Sequence, residues 1–246
     1  MTDKVLYEEL CPQEFLERRD AMPVAYLPLG TLEWHGPHMP LGADGLQAKG
    51  LFMALAKQVG GIVLPPLFMG PDRVMEDVNQ TYYGMDVGTL GVLYPYGGQQ
   101  LPGSAYWMDS ELFTAMLKSI LKQLKRAGFK VVVGHGHGPS IRYYSYLKDW
   151  AKEEMGLVLM TGWDFATDEH LKAQNDHAGA NETSLVMALR PELVQFDRVK
   201  SEEDLIGIAG AHPVKESGAA YGQAMIDHAV SNAEEALKKA CPELFV

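Results

Sequence analysis

Two short apolar runs, residues 24–29 and 129–133, each stop at a glycine and then deliver histidine, the first into G-T-L-E-W-H-G-P-H and the second into G-H-G-H-G-P-S. Runs of this length and composition read as strands buried on both faces, which belong to a parallel sheet rather than to a sheet with one wet side. Helical patterns alternate with them. Residues 45–59 place Leu46, Leu51, Ala54, Leu55 and Val59 on one face before Gly60-Gly61, and residues 62–67 offer a further strand. Asp109 or Ser110 caps a helix whose stripe of Leu117, Ile120, Leu121 and Leu124 follows i, i+3, i+4, i+7 spacing as far as Gly128. Ser140 caps a helix over 141–155, residues 157–160 form a strand, and 182–189 and 216–239 read as helices. This alternation predicts an α/β fold with a parallel sheet, helices on both faces and right-handed crossovers. Residues 71–104 break the rhythm with many Gly, Pro and Tyr. So long an irregular segment is usually functional, and it reads as a substrate-covering loop holding a small hairpin.

With 246 residues and 47% hydrophobic side chains the chain carries enough apolar surface for one core, so residues 1–246 are expected to form a single domain. The formal charge of -11 repels phosphate backbones and anionic lipid, which argues against nucleic-acid and membrane partners. Cys11 and Cys241 lie near opposite ends and build neither a disulfide framework nor a thiolate metal site. The first ten residues hold acidic groups where a signal peptide needs an apolar run, and no stretch is apolar enough for a bilayer span. A cytoplasmic, soluble protein acting on a small molecule is therefore expected.

The chemistry gathers at the predicted strand ends. Glu33, His35, His38 and Asp44 fall in one stretch broken by glycine and proline, and Glu33 and His35, two apart in extended backbone, project to one side. Asp44 has a second reading as the N-cap of the helix that follows. His135 and His137 sit among three glycines, and the segment N-D-H-A-G-A-N-E-T-S places His177 five residues before Glu182. A doubly wound sheet brings such ends together, so the joint reading is a metal site. Mixed imidazole and carboxylate suit Zn²⁺, Mn²⁺ or Fe²⁺, whereas calcium takes oxygen alone and structural zinc favours thiolate. The glycine spacing lacks the lysine of a phosphate loop, and no G-x-S-x-G elbow supports a serine nucleophile. Without a cluster of Arg or Lys near these motifs, a phosphate-ester substrate is disfavoured. The aromatic residues between 82 and 107, Tyr82 among them, are candidates to wall a small-molecule pocket, as is Trp163.

The stretch L-G-T-L-E-W-H-G-P-H-M-P-L-G-A-D resembles the signature of the creatininase-type amidohydrolases, usually G-S-x-E-x-H-G-P-H-L-P-L-x-T-D. L-P-G-S at 101–104 is similar to the family's F-P-G-T, V-V-V-G-H-G-H-G-P-S to its strand and N-G-H-G-G-N, and H-A-G-A-N-E-T-S to its H-A-G-x-x-E-T-S. Near the C-terminus, A-H-P-V-K-E-S-G-A-A-Y-G resembles the segment before the family's last helix. The likeness runs in order over roughly residues 24 to 228. It implies a three-layer α/β/α sandwich with a mostly parallel central sheet, two divalent metal ions per subunit and a homohexamer. Carried over, Glu33, Asp44 and His137 would bind one metal, and His35 with a bridging Asp44 would begin the other. Pro139 stands where creatininase has a glutamate, so Glu182 is the candidate to complete the second site. His177 would be the catalytic proton-transfer residue, and His135, where asparagine is usual, an accessory substrate-binding candidate.

The resemblance implies a hydrolase that opens a small cyclic substrate at an amide C–N bond. A relative's chemistry, cleavage of a C–C bond in a cyclic diketone such as a dehydro-inosose, is the alternative. A metal-binding protein of peptide maturation or scaffolding is the third expectation.

Overall fold

The computed structural model describes residues 3–88 and 91–245. Its central sheet has four strands in the order β2-β1-β5-β6, all parallel: β1 (Val24–Leu29), β2 (Ile62–Val63), β5 (Val131–Gly136) and β6 (Val158–Thr161). Side chains alternate across it. Val24, Tyr26, Val131 and Val133 join one core cluster with helices α2 (Ala43–Gln58), α6 (Ala180–Leu189) and α8 (Ala219–Ala240). Ala25, Leu27, Leu29 and Val132 face the other way, onto α3 (Ser110–Arg126), α4 (Gly138–Ser145) and α5 (Lys148–Met155). Two apolar faces covered by helices explain the unbroken apolar strands, and the three-layer α/β/α arrangement is as expected. Among the described residues, no helix is long and apolar enough to cross a membrane.

Several boundaries differ from expectation for identifiable reasons. β2 stops at Val63, because Pro65-Pro66 cannot donate to a ladder; Leu67 rejoins as a single bridge to Leu29. β5 runs past its valines to Gly136, whose φ of +133 and close approach to the Leu29 carbonyl leave no room for a Cβ. The helix expected over 141–155 divides into α4 and α5, since buried Leu147 turns back to donate its N–H to the Tyr144 carbonyl at 3.0 Å. The C-terminal helix is likewise preceded by a separate turn, α7 (Pro213–Glu216), and Gly218 donates to Ser184 Oγ at 3.0 Å. Asp109 caps α3 as expected, accepting from the Glu111 and Leu112 N–H groups. α1 (Pro12–Ala21) is an additional helix, tied down by buried Arg18, which donates to the Gly61 and Ala56 carbonyls. Within the 71–104 segment β3 (Val74–Asp77) and β4 (Gln80–Tyr83) form the small antiparallel hairpin. Cys11 is exposed and Cys241 buried, and both are free.

The crossing of α8 over α6 is set by Gly222, where an added Cβ would stand 1.9 Å from the Ser184 carbonyl oxygen. A backbone atom cannot rotate away, so the helices would have to separate. Gly222→Ala is expected to destabilise the fold by about 2 kcal/mol, from the cost of overpacking. In a chain this size that lowers Tm by roughly 4–8 °C in a thermal melt, and an unchanged Tm would show the crossing to be loose.

Candidate metal centre

The ends of β1 and β5 lie side by side, with Leu29 in register with Gly136, so the chain segments leaving both strands enter one space. That space is a cavity of about 630 Å³. Glu33, Asp44, His137, His177, Glu182 and Trp163 line it, together with Asp72, which sequence reasoning missed. A carboxylate alone in an irregular segment carries no periodic signal that would have identified it. None of the described lining residues is Lys or Arg.

Each histidine is oriented by its second nitrogen. His35 Nδ1 lies 3.1 Å from the Glu33 carbonyl oxygen, which can only accept, so Nδ1 donates there and Nε2 is turned toward the carboxylates. That Nε2 is buried without a hydrogen-bond partner, 3.6 Å from Asp44 Oδ2 and 3.7 Å from Glu182 Oε2. His177 Nε2 lies 2.8 Å from the Trp34 carbonyl oxygen, so it donates there and presents a bare Nδ1 4.0 Å from Glu33 Oε1. His137 Nδ1 meets Ser140 Oγ at 2.9 Å, which turns Nε2 toward Glu33 Oε1 at 3.6 Å and Asp72 Oδ2 at 3.3 Å.

The carboxylates are held as firmly. Gln174 Nε2 donates to Asp44 Oδ1 at 3.3 Å and leaves Oδ2 buried and unpartnered. The Ala178 N–H donates to Glu182 Oε2 at 2.7 Å. Asp176 accepts from the Asn181 and Glu182 N–H groups at the start of α6. Asp44 is not an N-cap: it lies inside the first turn of α2, after Gly42. Ser104 of L-P-G-S accepts from the Trp34 N–H at 2.7 Å and fixes the Glu33–His35 backbone. The non-glycine residues with positive φ among those described are Gln174 and Ala178, both bordering this site. Strain of this kind persists where the surroundings enforce it.

Three groups of possible ligand atoms result, each with its atoms within 4.8 Å of one another: His35, Asp44 and Glu182; Glu33, Asp72 and His137; and Glu33, His35 and His177. Burial, followed by the charges of Asp44 and Asp72, pushes the Glu33 carboxyl well above the usual glutamate range. Burial and then Asp44 and Asp176 do the same to Glu182. Burial also pushes Asp44 upward, but His35 and then His137 outweigh it and hold this carboxyl below its ordinary range. His177 is lowered to about 3, chiefly by burial and then by His35, so it is neutral. Buried carboxylates packed together with orphaned imidazole and carboxylate atoms are costly without a positive charge, and the donor set is that of a borderline divalent cation.

Besides the fully buried His35, two further candidates stand outside the cavity lining. His135 lies within β5, paired with Pro28, and strand alternation turns it to the side of Val131 and Val133, between Phe52 and Trp163. Burial there lowers it to about 4, and both ring nitrogens lack partners. Tyr82 lies on the hairpin, half-buried and away from the lining. His38 is also displaced, hydrogen-bonded to Thr183 Oγ1 at 3.0 Å and stacked on Phe196.

Comparison with known proteins gives a consistent answer. The family model for creatininase, described as creatinine amidohydrolase, matches residues 8–237. Creatinine amidohydrolase of Pseudomonas putida is 28% identical over 219 residues, covering 81% of this chain and 77% of that protein. The 3-dehydro-scyllo-inosose hydrolase of Thermotoga maritima is 23% identical over 202 residues, covering 77% of this chain and 58% of that protein's length. A crystal structure of creatinine amidohydrolase (creatininase) superposes with a TM-score of 0.75 at 23% identity, covering 98% of this chain and 99% of the other. A structure described as "Creatininase Mn" gives 0.73 at 23% identity, covering 97% and 99%.

Proposed function

Because this chain belongs to the creatininase family of hydrolases, we propose that it opens a small cyclic amide by hydrolysis, using two divalent cations held between the ends of β1 and β5. The reading rests on one observation above all: buried His35 Nε2 and Asp44 Oδ2 are free of hydrogen bonds and face each other across 3.6 Å. Buried polar atoms are normally paired, and a cation between these two would pair both. His35, Asp44 and Glu182 would hold one ion, with Glu33 and His137 holding the other. Asp44 is suited to lie between them, since its carboxylate bears on both Glu33 and Glu182. The manganese described for a creatininase of the same fold supports a transition metal here.

Divalent ions in such a site supply Lewis acidity, which brings the pKa of water toward neutrality and polarises a carbonyl. The protein's own groups do the rest. His177, neutral and with Nε2–H committed to the Trp34 carbonyl, offers its Nδ1 lone pair to take a proton from the attacking water. The same nitrogen returns that proton to the departing amide nitrogen, which leaves as an amine once the ring C–N bond breaks. Trp163, held by donation from Nε1 to the Ala173 carbonyl at 2.8 Å, supplies an aromatic wall for the ring.

The test is turnover by protein stripped with a chelator and reloaded with Mn²⁺, Zn²⁺ or Fe²⁺. It would be offered creatinine and other cyclic amides, a formamide, a short peptide and 3-dehydro-scyllo-inosose. The proposal expects cation-dependent opening of a cyclic amide. Turnover of the inosose alone would replace amide hydrolysis with C–C cleavage, and retained metal without turnover of any compound would leave a binding protein.

A further inference from the structure

Resting on the two-cation reading above, we propose that Asp72 is a third protein ligand of the cation position formed by Glu33 and His137. The two positions are then completed from different parts of the chain. His35, Asp44 and Glu182 complete the first from the segment after β1 and the starts of α2 and α6. The second is closed from the 71–104 segment, two residues ahead of the hairpin.

The geometry of the Asp72 carboxylate carries the assignment. The Arg73 N–H donates to Oδ1 at 2.7 Å, and Oδ2 is left pointing at His137 Nε2 at 3.3 Å. Its side chain is only 13% exposed, so water does not satisfy it freely. The neighbouring guanidinium does not neutralise it, because Arg73 donates to the Gly84 carbonyl at 3.0 and 2.8 Å and to the Val87 carbonyl at 3.2 Å. Those bonds lock the turn that presents Asp72. Trp107, stacked on Tyr83 with ring centroids 6.0 Å apart, packs beside His137 and closes the flank.

A simple Asp–His hydrogen bond would account for Asp72 and His137 if they stood alone. They do not, because Glu33 Oε1 approaches the same Nε2 to 3.6 Å. An N–H shared between two carboxyl groups makes a divided, weaker bond to each, whereas a cation at the centre of the three groups would pair all of them at once. Three donors, two carboxylate oxygens and an imidazole nitrogen, within 4.8 Å of one another make a protein ligand set with positions left over for solvent or substrate.

Stepwise Mn²⁺ and Zn²⁺ binding, followed with a competing chelator dye and metal analysis, decides the matter. Wild-type protein should take up two ions per chain. Asp72→Asn should weaken one binding step about 100-fold and leave the other unchanged, whereas His35→Ala should weaken the other step. Asp72→Glu, which keeps the charge, should recover part of the loss. A folded Asp72→Asn protein with both steps intact, even one with a raised KM, would make Asp72 a substrate contact and overturn the proposal. Wild-type protein that binds no cation overturns the two-cation reading itself, whereas loss of affinity on Asp72→Asn without turnover of any amide leaves the ligand assignment standing and rejects only the substrate.

Discussion

Replacing His177 by alanine is expected to lower kcat by about 10²–10⁴-fold, the usual contribution of a positioned acid–base group, while the cation content stays at the wild-type level. Its Nδ1 is 4.0 Å from Glu33 Oε1 and its ring centroid 4.5 Å from that of His35, so it borders the cation positions on the side facing the cavity. Its own support comes from elsewhere: Nε2 donates to the Trp34 carbonyl, and the flanking backbone pairs with Ala209 in both directions. Removing the ring therefore deletes a proton carrier without dismantling the groups around His35 and His137. If metal analysis found that an ion left with the ring, His177 would be a ligand in the group it forms with Glu33 and His35. An unchanged kcat would assign proton transfer to another group.

How much of this was legible beforehand depended on periodicity. β1 and the stretch that follows it were legible because an apolar run buried on both faces can only be an inner strand, and chemistry collects where such strands end. Helix α1 was not, since P-Q-E-F-L-E-R-R-D-A shows no apolar stripe and Arg18 is buried by its hydrogen bonds instead. The two histidines of G-H-G-H-G show the limit most sharply. Both sit between glycines, yet the ladder continues through Gly134 and Gly136, so His135 remains in the strand and turns into packing while His137 emerges beyond it. Apolar content ended that strand at Val133, but hydrogen bonds to β1 do not depend on side chains. Asp72 and Asp176 were illegible for a related reason. Each acts through a fold-dependent neighbour, His137 in one case and the start of α6 in the other, and a single aspartate in a loop carries no sign of either.

Asp44→Asn should have the widest effect of any single change, because this carboxylate lies against both Glu33 and Glu182 and faces the unpartnered Nε2 of His35. Asparagine keeps the shape and can still meet Gln174, so the fold should survive. What disappears is the charge at the junction of both ligand groups. Cation affinity should fall by at least about 100-fold and turnover to background, since altering even an outer partner of a ligand commonly costs 10–100-fold. A readout independent of substrate comes from pH. In the metal-free protein Glu33 and Glu182 have carboxyls raised well above the ordinary range. Their contribution to stability is fully present below the unfolded value near 4.5 and is lost as pH rises through the raised folded values. A bound cation takes the place of those protons, so the gap in Tm between loaded and stripped wild-type protein should widen from pH 5.5 to pH 8. A 100-fold excess of ion over Kd corresponds to about 2.7 kcal/mol of stabilisation, and Asp44→Asn, with affinity down at least about 100-fold, should forfeit most of it under the same loading. A gap that narrows with rising pH, or one that Asp44→Asn leaves intact, would mean that the carboxylates keep their protons and that no cation is held among them.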